Sequence, residues 1–158
     1  MNVPNRKRID CASRVIDASP QSIYRAFIDP DALTSWLPPK GMTGRMHAFD
    51  ARPGGSYRMT LTYEDAGHAG KTAENSDTVG GRFLELVPNE KIVQEIEFQS
   101  DDAAFAGTMT MTWSIKAVTG GSEVTILCEN VPEGIRKEDH DAGLKSSLDN
   151  LAAFTELA

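Results

Sequence analysis

Residues 139–157 read DHDAGLKSSLDNLAAFTEL. Leu144, Leu148, Leu151 and Thr155 recur at steps of four, three and four, with Ala152 beside them, which places them on one stripe of an α-helix. Phe154 and Leu157 widen that stripe, and Lys145, Asn150 and Glu156 fall mainly opposite. A helix of this length draws most of its stability from packing, so it needs a broad apolar surface to lie on. The middle of the chain reads as strands and can supply one. The expectation is an α+β fold in which one long C-terminal helix is held against a curved antiparallel sheet of seven strands. Any functional cavity is expected between the two.

Working back from this helix, Lys137 to Asp141 form its charged first turns, and Val131-Pro132-Glu133-Gly134 leads into it. Gly107 to Ala117 is the clearest strand: Met109, Met111, Trp113 and Ile115 face one way, and Thr108, Thr110, Thr112 and Ser114 the other. Gly120-Gly121 turns into a last strand with Val124, Ile126 and Cys128 inward. Thr78 to Val87 and Lys91 to Gln99 are two strands joined by Pro88-Asn89-Glu90, with Ile92, Ile96 and Phe98 on one face of the second. Tyr57, Met59, Leu61 and Tyr63 alternate with polar residues after a tight turn at Arg52-Pro53-Gly54-Gly55. Gly44 to Asp50 is a further strand whose inward face stays open, Met46 and Ala48 competing with His47 and Phe49. Glu64 to Asp77 reads as a long mobile hairpin loop and Ser100 to Ala104 as a turn.

At the N-terminal end, Ile9 to Ile16 reads as the first strand. Ser19-Pro20 is an N-cap followed by proline at the first helical position, opening a short helix with Ile23, Tyr24, Ala26 and Phe27. Asp29-Pro30 ends it and begins a second, running to about Trp36, with Leu33, Trp36 and Leu37 inward. The predicted order is strand, two short helices, six strands, long helix. Short hairpin connections make the sheet antiparallel, and residues 1–158 read as one domain.

Composition narrows the function. With 158 residues, 40% apolar and 25% charged, the chain reads as an ordinary soluble domain with a sizeable core. The formal net charge of −7 argues against a nucleic-acid partner and an anionic membrane surface. No apolar run has the roughly 20 residues needed to span a bilayer. Met1 to Asp10 lacks the apolar core of a secretory signal, so the cytoplasm is expected. Cys11 and Cys128 read as two small buried apolar side chains, a reactive or bridged pair requiring the first and last strands to lie side by side. His47, His68 and His140 are isolated in sequence and read as surface residues; none has a visible partner to orient it as a general base. No metal site, nucleotide loop or nucleophile motif is present, so no cofactor and no catalytic residue is assigned. Glu95 and Glu97 share one face of a strand. They are solvated if that face is outward and acid/base candidates if it lines a cavity.

The order of elements and several motifs resemble the SRPBCC superfamily, the START-like helix-grip fold, and within it the heat-shock-protein ATPase activator homologue-like family. The motifs are Ala18-Ser19-Pro20 with Ile23-Tyr24-Arg25-Ala26-Phe27, Asp29-Pro30 with Leu33 and Trp36, and Arg52-Pro53-Gly54-Gly55. They continue with Gly81, Phe83 and Val87-Pro88-Asn89-Glu90-Lys91, then Gly143 with Ser147-Leu148-Asp149-Asn150-Leu151. Together they cover nearly the whole chain. Members of the family commonly carry tryptophan after the glycine of the last helix. Here Leu144 follows Gly143, which either widens a cavity mouth or is repacked.

Methionine fills irregular space, and tyrosine and tryptophan offer flat apolar area with a polar tip. Trp36, Tyr57, Met59, Tyr63, Met109, Met111, Trp113, Leu144 and Leu148 are therefore the expected lining of a site for a small hydrophobic or aromatic molecule, as an alternative to a filled core. The fold hosts other activities. One alternative is a polyketide-cyclase or hydrolase type of enzyme using Glu95 or Glu97 with Tyr63. Another is a module stimulating a chaperone ATPase, expected to rank lower because the eukaryotic co-chaperones carry an extra N-terminal domain for which this chain is too short. An edge strand or the open side of the sheet offers a place for two copies to pair.

Overall fold

The computed structural model describes residues 8–38, 41–63, 76–98 and 107–156. The elements are β1 (Ile9–Ile16), α1 (Pro20–Ile28), α2 (Pro30–Trp36), β2 (Met42–Phe49), β3 (Ser56–Tyr63), β4 (Ser76–Val87), β5 (Lys91–Phe98), β6 (Gly107–Val118), β7 (Gly121–Glu129) and α3 (Lys137–Glu156). Local chemistry explains the helix starts. Ser19 Oγ accepts from the Ser22 amide at 3.1 Å, Asp29 Oδ1 accepts from Asp31 at 2.9 Å, and a proline opens each short helix. The expected loop ends earlier than Asp77, because Ser76 and Asp77 already belong to β4; Glu64 to Asn75 and the Ser100–Ala104 turn lie outside the described residues.

The strands form an open, curved antiparallel α+β sheet in the order β1-β7-β6-β5-β4-β3-β2. Consecutive strands pair as hairpins. The two helices after β1 carry the chain across to the far edge, so β1 is left to pair with β7. The turn into β3 depends on glycine. Gly54 has φ +87°, and a Cβ on Gly55 would lie 2.2 Å from the Asp50 carbonyl oxygen.

β2 resolves the ambiguity in its sequence with a bulge. Met46 pairs with Met59 and Ala48 with Arg58, leaving His47 as the extra residue. The strand changes face there, so Met46 and Phe49, three apart, both pack on the core. Phe49 meets Phe83 edge-on with ring centroids 6.0 Å apart. His47 is exposed and its Nε2 lies 2.6 Å from Thr60 Oγ1.

One face of the sheet carries the core. Met109, Trp113 and Ile115 of β6, Val124, Ile126 and Cys128 of β7, and Ile92 of β5 are buried with Leu144, Leu148, Leu151 and Ala152 of α3. Thr155 is buried too, its hydroxyl donating to the Leu151 carbonyl at 2.8 Å. The stripe is narrower than expected, since Phe154 is 36% exposed; Leu157 lies outside the described residues.

α3 runs in step with β1. His140 reaches Asp10, Asp149 reaches Arg14 at 2.6 Å, and Glu156 accepts from the Asp17 amide at 2.9 Å. Sixteen helical residues at about 1.5 Å each and seven strand residues at about 3.3 Å each both span roughly 23–24 Å. The two elements therefore remain in register along their whole length. Among the described residues, no helix is long and apolar enough to cross a membrane.

Candidate functional site

α3 lies on the sheet between two clefts, and a third sits at its C-terminal end. The cleft on the β1 side, about 340 Å³, is lined by Ala12, Arg14, Lys145, Leu148 and Asp149. The cleft at the end, about 400 Å³, lies between Trp36, Pro38, Met42, Asn150 and Phe154. The cleft on the sheet-centre side, about 300 Å³, has apolar walls of Leu37, Met109, Met111 and Leu144. His140, Ser146, Ser147 and Asn150 supply polar groups around it.

The expected lining residues divide accordingly. Met109, Met111 and Leu144 meet in the sheet-centre cleft, Trp36 borders the end cleft, and Leu148 the β1 cleft. Tyr57, Met59 and Trp113 are buried in the core and border none of these three. Tyr63 is half-buried at the end of β3, opposite Met42. Leu144 is buried and also borders the sheet-centre cleft.

The buried aromatic rings pack on one another. Phe27 contacts Trp36 and Trp113 with ring centroids 5.1 and 4.9 Å apart, and Trp36 and Trp113 are 5.7 Å apart, all edge-to-face. Trp36 Nε1 donates to the Ala26 carbonyl at 2.8 Å, whereas Trp113 Nε1 is sealed in with no acceptor among the described residues. Burial pushes the Tyr57 hydroxyl up to about 12.

The strongest electrostatic feature was not visible in the sequence. Asp10, on the inward side of β1, is 1% exposed. Its Oδ2 accepts from Arg8 Nη2 at 2.9 Å and from His140 Nδ1 at 2.6 Å, and Lys137 Nζ lies 3.9 Å from Oδ1. Arg8 also donates from Nη1 to the carbonyls of Pro132 and Ile135. Burial acts to raise the Asp10 carboxyl, but the hydrogen bonds and charges of Arg8 and His140 outweigh it and hold the group below its ordinary value. The expectation that His140 is an isolated surface residue is thus overturned: its side chain is 13% exposed, oriented by Asp10, and borders the sheet-centre cleft. The contact spans the chain from the first strand to the last helix, so spacing could not reveal it. The one available signal was alternation, which puts Asp10 on the same side of β1 as Ile16. His68 lies outside the described residues.

The sheet also decides the readings of the two cysteines and of Glu95 and Glu97. β1 and β7 do lie side by side, but Cys11 stands opposite Leu127 and Cys128 opposite Asp10. The thiols are therefore on opposite faces, Cys11 exposed and Cys128 buried, and both are free. Cys128 is also unreactive as a nucleophile, because burial first, and the neighbouring Asp10 and Cys11 second, push its thiol up to about 12. Glu95 and Glu97 lie on the face opposite Ile92 and Gln94, with Glu97 exposed. They point away from α3 and cannot serve a cleft beneath it. Among the described residues, no group of three His, Cys, Asp or Glu could hold a metal ion.

Residues 17–156 match the family described as Activator of Hsp90 ATPase homolog 1-like protein. The chain belongs to this family. A crystal structure of a protein from Chromobacterium violaceum is 37% identical, with 97% of this chain and 98% of that one covered and a TM-score of 0.79. A protein from Rhodobacter sphaeroides is 18% identical over 98% and 95% of the two chains, with a TM-score of 0.77. The AHSA1-like protein of Aeromonas hydrophila is 15% identical over 95% and 93%, with a TM-score of 0.74. These last two share the helix-grip fold. No curated protein matches the chain. An Activator of Hsp90 ATPase homolog 1-like domain of this SRPBCC fold is a scaffold commonly used for ligand binding, which makes the clefts beside α3 the places to look.

Proposed function

We propose that this protein binds a small hydrophobic or aromatic molecule in the sheet-centre cleft between β6 and α3, and performs no chemistry on it. The carrying observation is the cleft itself: about 300 Å³, walled by Leu37, Met109, Met111 and Leu144, with polar groups confined to one side. Of the other residues expected to line such a site, Trp36 and Leu148 border the other two clefts, Tyr57, Met59 and Trp113 are buried in the core, and Tyr63 lies at the end of β3. Titration with a panel of apolar fluorophores tests the reading. Uptake with blue-shifted emission is expected; no uptake of any probe would overturn it. The reading suits the cytoplasm, where two unbridged cysteines are stable.

The family description favours one second reading, stimulation of an Hsp90 ATPase through an exposed surface. It ranks below ligand binding, because the large apolar side chains exposed among the described residues are few: Ile9, Val15 and Phe154. An ATPase assay with the chaperone separates the two readings: stimulation without fluorophore uptake supports the second.

A further inference from the structure

Resting on the cleft proposed above, we infer that its ligand has two apolar arms joined by a neutral amide link. One arm lies in the sheet-centre cleft, the other in the end cleft, and the link passes Asn150 between them. The two clefts adjoin. Asn150 borders both; Trp36 and Pro38 wall the end cleft, and Leu37, between them in the chain, walls the sheet-centre cleft. They also share one side of α3. Gly143 and Ser147 border the first cleft, Asn150 both and Phe154 the second, at steps of four, three and four. Gly143 to Phe154 covers about 16 Å of helix at about 1.5 Å per residue, longer than one ring and enough for two in line. Size points the same way. Each cleft alone, at about 300 and 400 Å³, lies near the lower end of the range of about 300–1,000 Å³ for small-molecule sites; joined, they fall in its middle.

What divides the clefts is slight. Asn150 Nδ2 donates to the Pro38 carbonyl at 3.4 Å, longer than such a bond usually is. The Asn150 carboxamide has a second N–H and an acceptor oxygen, and neither has a partner among the described residues. The arms would meet apolar walls, Met109 and Met111 in one cleft, Met42 and Phe154 in the other. Only the link meets Asn150. An amide carries both a donor and an acceptor, so it can answer whichever group of Asn150 faces it. Among the described residues, no lysine, arginine or carboxylate borders either cleft, which disfavours a charged link.

The test compares benzanilide (two phenyl rings and an amide), N-methylbenzamide (one ring and the amide) and trans-stilbene (two rings, no amide). Affinities are read by displacement of a bound apolar fluorophore, and positions from nitrogen-15 spectra. Benzanilide should bind about tenfold tighter than N-methylbenzamide, the scale of part-burying a second ring. It should move the amide signals of both Gly143, in the sheet-centre cleft, and Ala153, in the end cleft. Ala153 is exposed, so Ala153→Trp sets a ring in the end cleft and should bring that affinity ratio near one. Asn150→Leu should lower the ratio of benzanilide to trans-stilbene affinity about tenfold, the scale of one good hydrogen bond; losing a merely structural contact to Pro38 would not change that ratio. An unchanged ratio would overturn the amide link. Benzanilide that moves Gly143 alone and binds Ala153→Trp as tightly as the wild type would overturn the second arm while leaving the sheet-centre cleft as the site. Fluorophore uptake without binding of benzanilide would likewise overturn the two-armed ligand only. Signals moving at Ala153 alone, or no uptake of any probe, would overturn both readings.

Discussion

At the scale of single residues, Asp10 is where the chain departs most from local expectation. A buried carboxylate is tolerable only when paired and hydrogen-bonded, and here a guanidinium, an imidazole and a nearby ammonium meet it. Because the folded carboxyl lies below its ordinary value of 3.8, its ionised form stabilises the fold. That stabilisation is complete above the unfolded value and is lost as the pH falls through the lower folded value. Urea unfolding of the wild type should therefore show stability declining below about pH 4, and Asp10→Asn should lack that part of the decline. At neutral pH the same substitution should cost about 1.5–3 kcal/mol, the range for hydrogen bonds to charged groups. Equal acid slopes in the two proteins would show that the pH dependence arises elsewhere. None of this was legible in the sequence, where Asp10 and His140 are 130 positions apart. Periodicity reports what a residue's own element does, and this contact is made between elements.

At the scale of elements, α3 was the most legible part of the chain. Its leucine stripe at helical spacing is the stripe that is buried, because a period of 3.6 residues dictates one face however the partner is built. Leu148 is 1% exposed, so Leu148→Ala should cost roughly 2–5 kcal/mol in chemical denaturation. A loss below about 0.5 kcal/mol would place that side chain on the surface. The tether between Arg14 and Asp149 is a different case. Both side chains are more than a third exposed, so Asp149→Ala should cost less than about 1 kcal/mol, and the difference should shrink further in high salt. β2 marks the limit of pattern reading. Its period-2 alternation is broken by a bulge at His47, and a one-residue insertion reverses every side chain beyond it, so neither reading of its inward face could be complete.

At the scale of the whole molecule, the fold was recoverable from the sequence because element order and turn chemistry constrain topology strongly. Cavity positions were not, because a residue that lines a cleft and one that fills the core have the same apolar pattern. Met111 and Trp113 share a strand face, yet only Met111 borders the sheet-centre cleft; packing of Phe27 and Trp36 onto Trp113 makes the difference. Leu144 tests whether that cleft is the ligand site. Its side chain is buried at the cleft wall, and about 300 Å³ of space adjoins it. Leu144→Trp should therefore be accommodated with a stability change below about 1.5 kcal/mol, where the same enlargement in a filled core typically costs about 1–3 kcal/mol. An apolar ligand at about one hundred times its Kd should stabilise the wild type by about 2.7 kcal/mol, a rise in Tm of roughly 5–11 °C for a chain of this size. The tryptophan variant, its cleft occupied from within, should lose most of that rise in thermal melts with and without ligand. A full shift in the variant would place the ligand in another part of the molecule, since only a site that the new ring overlaps can be blocked by it.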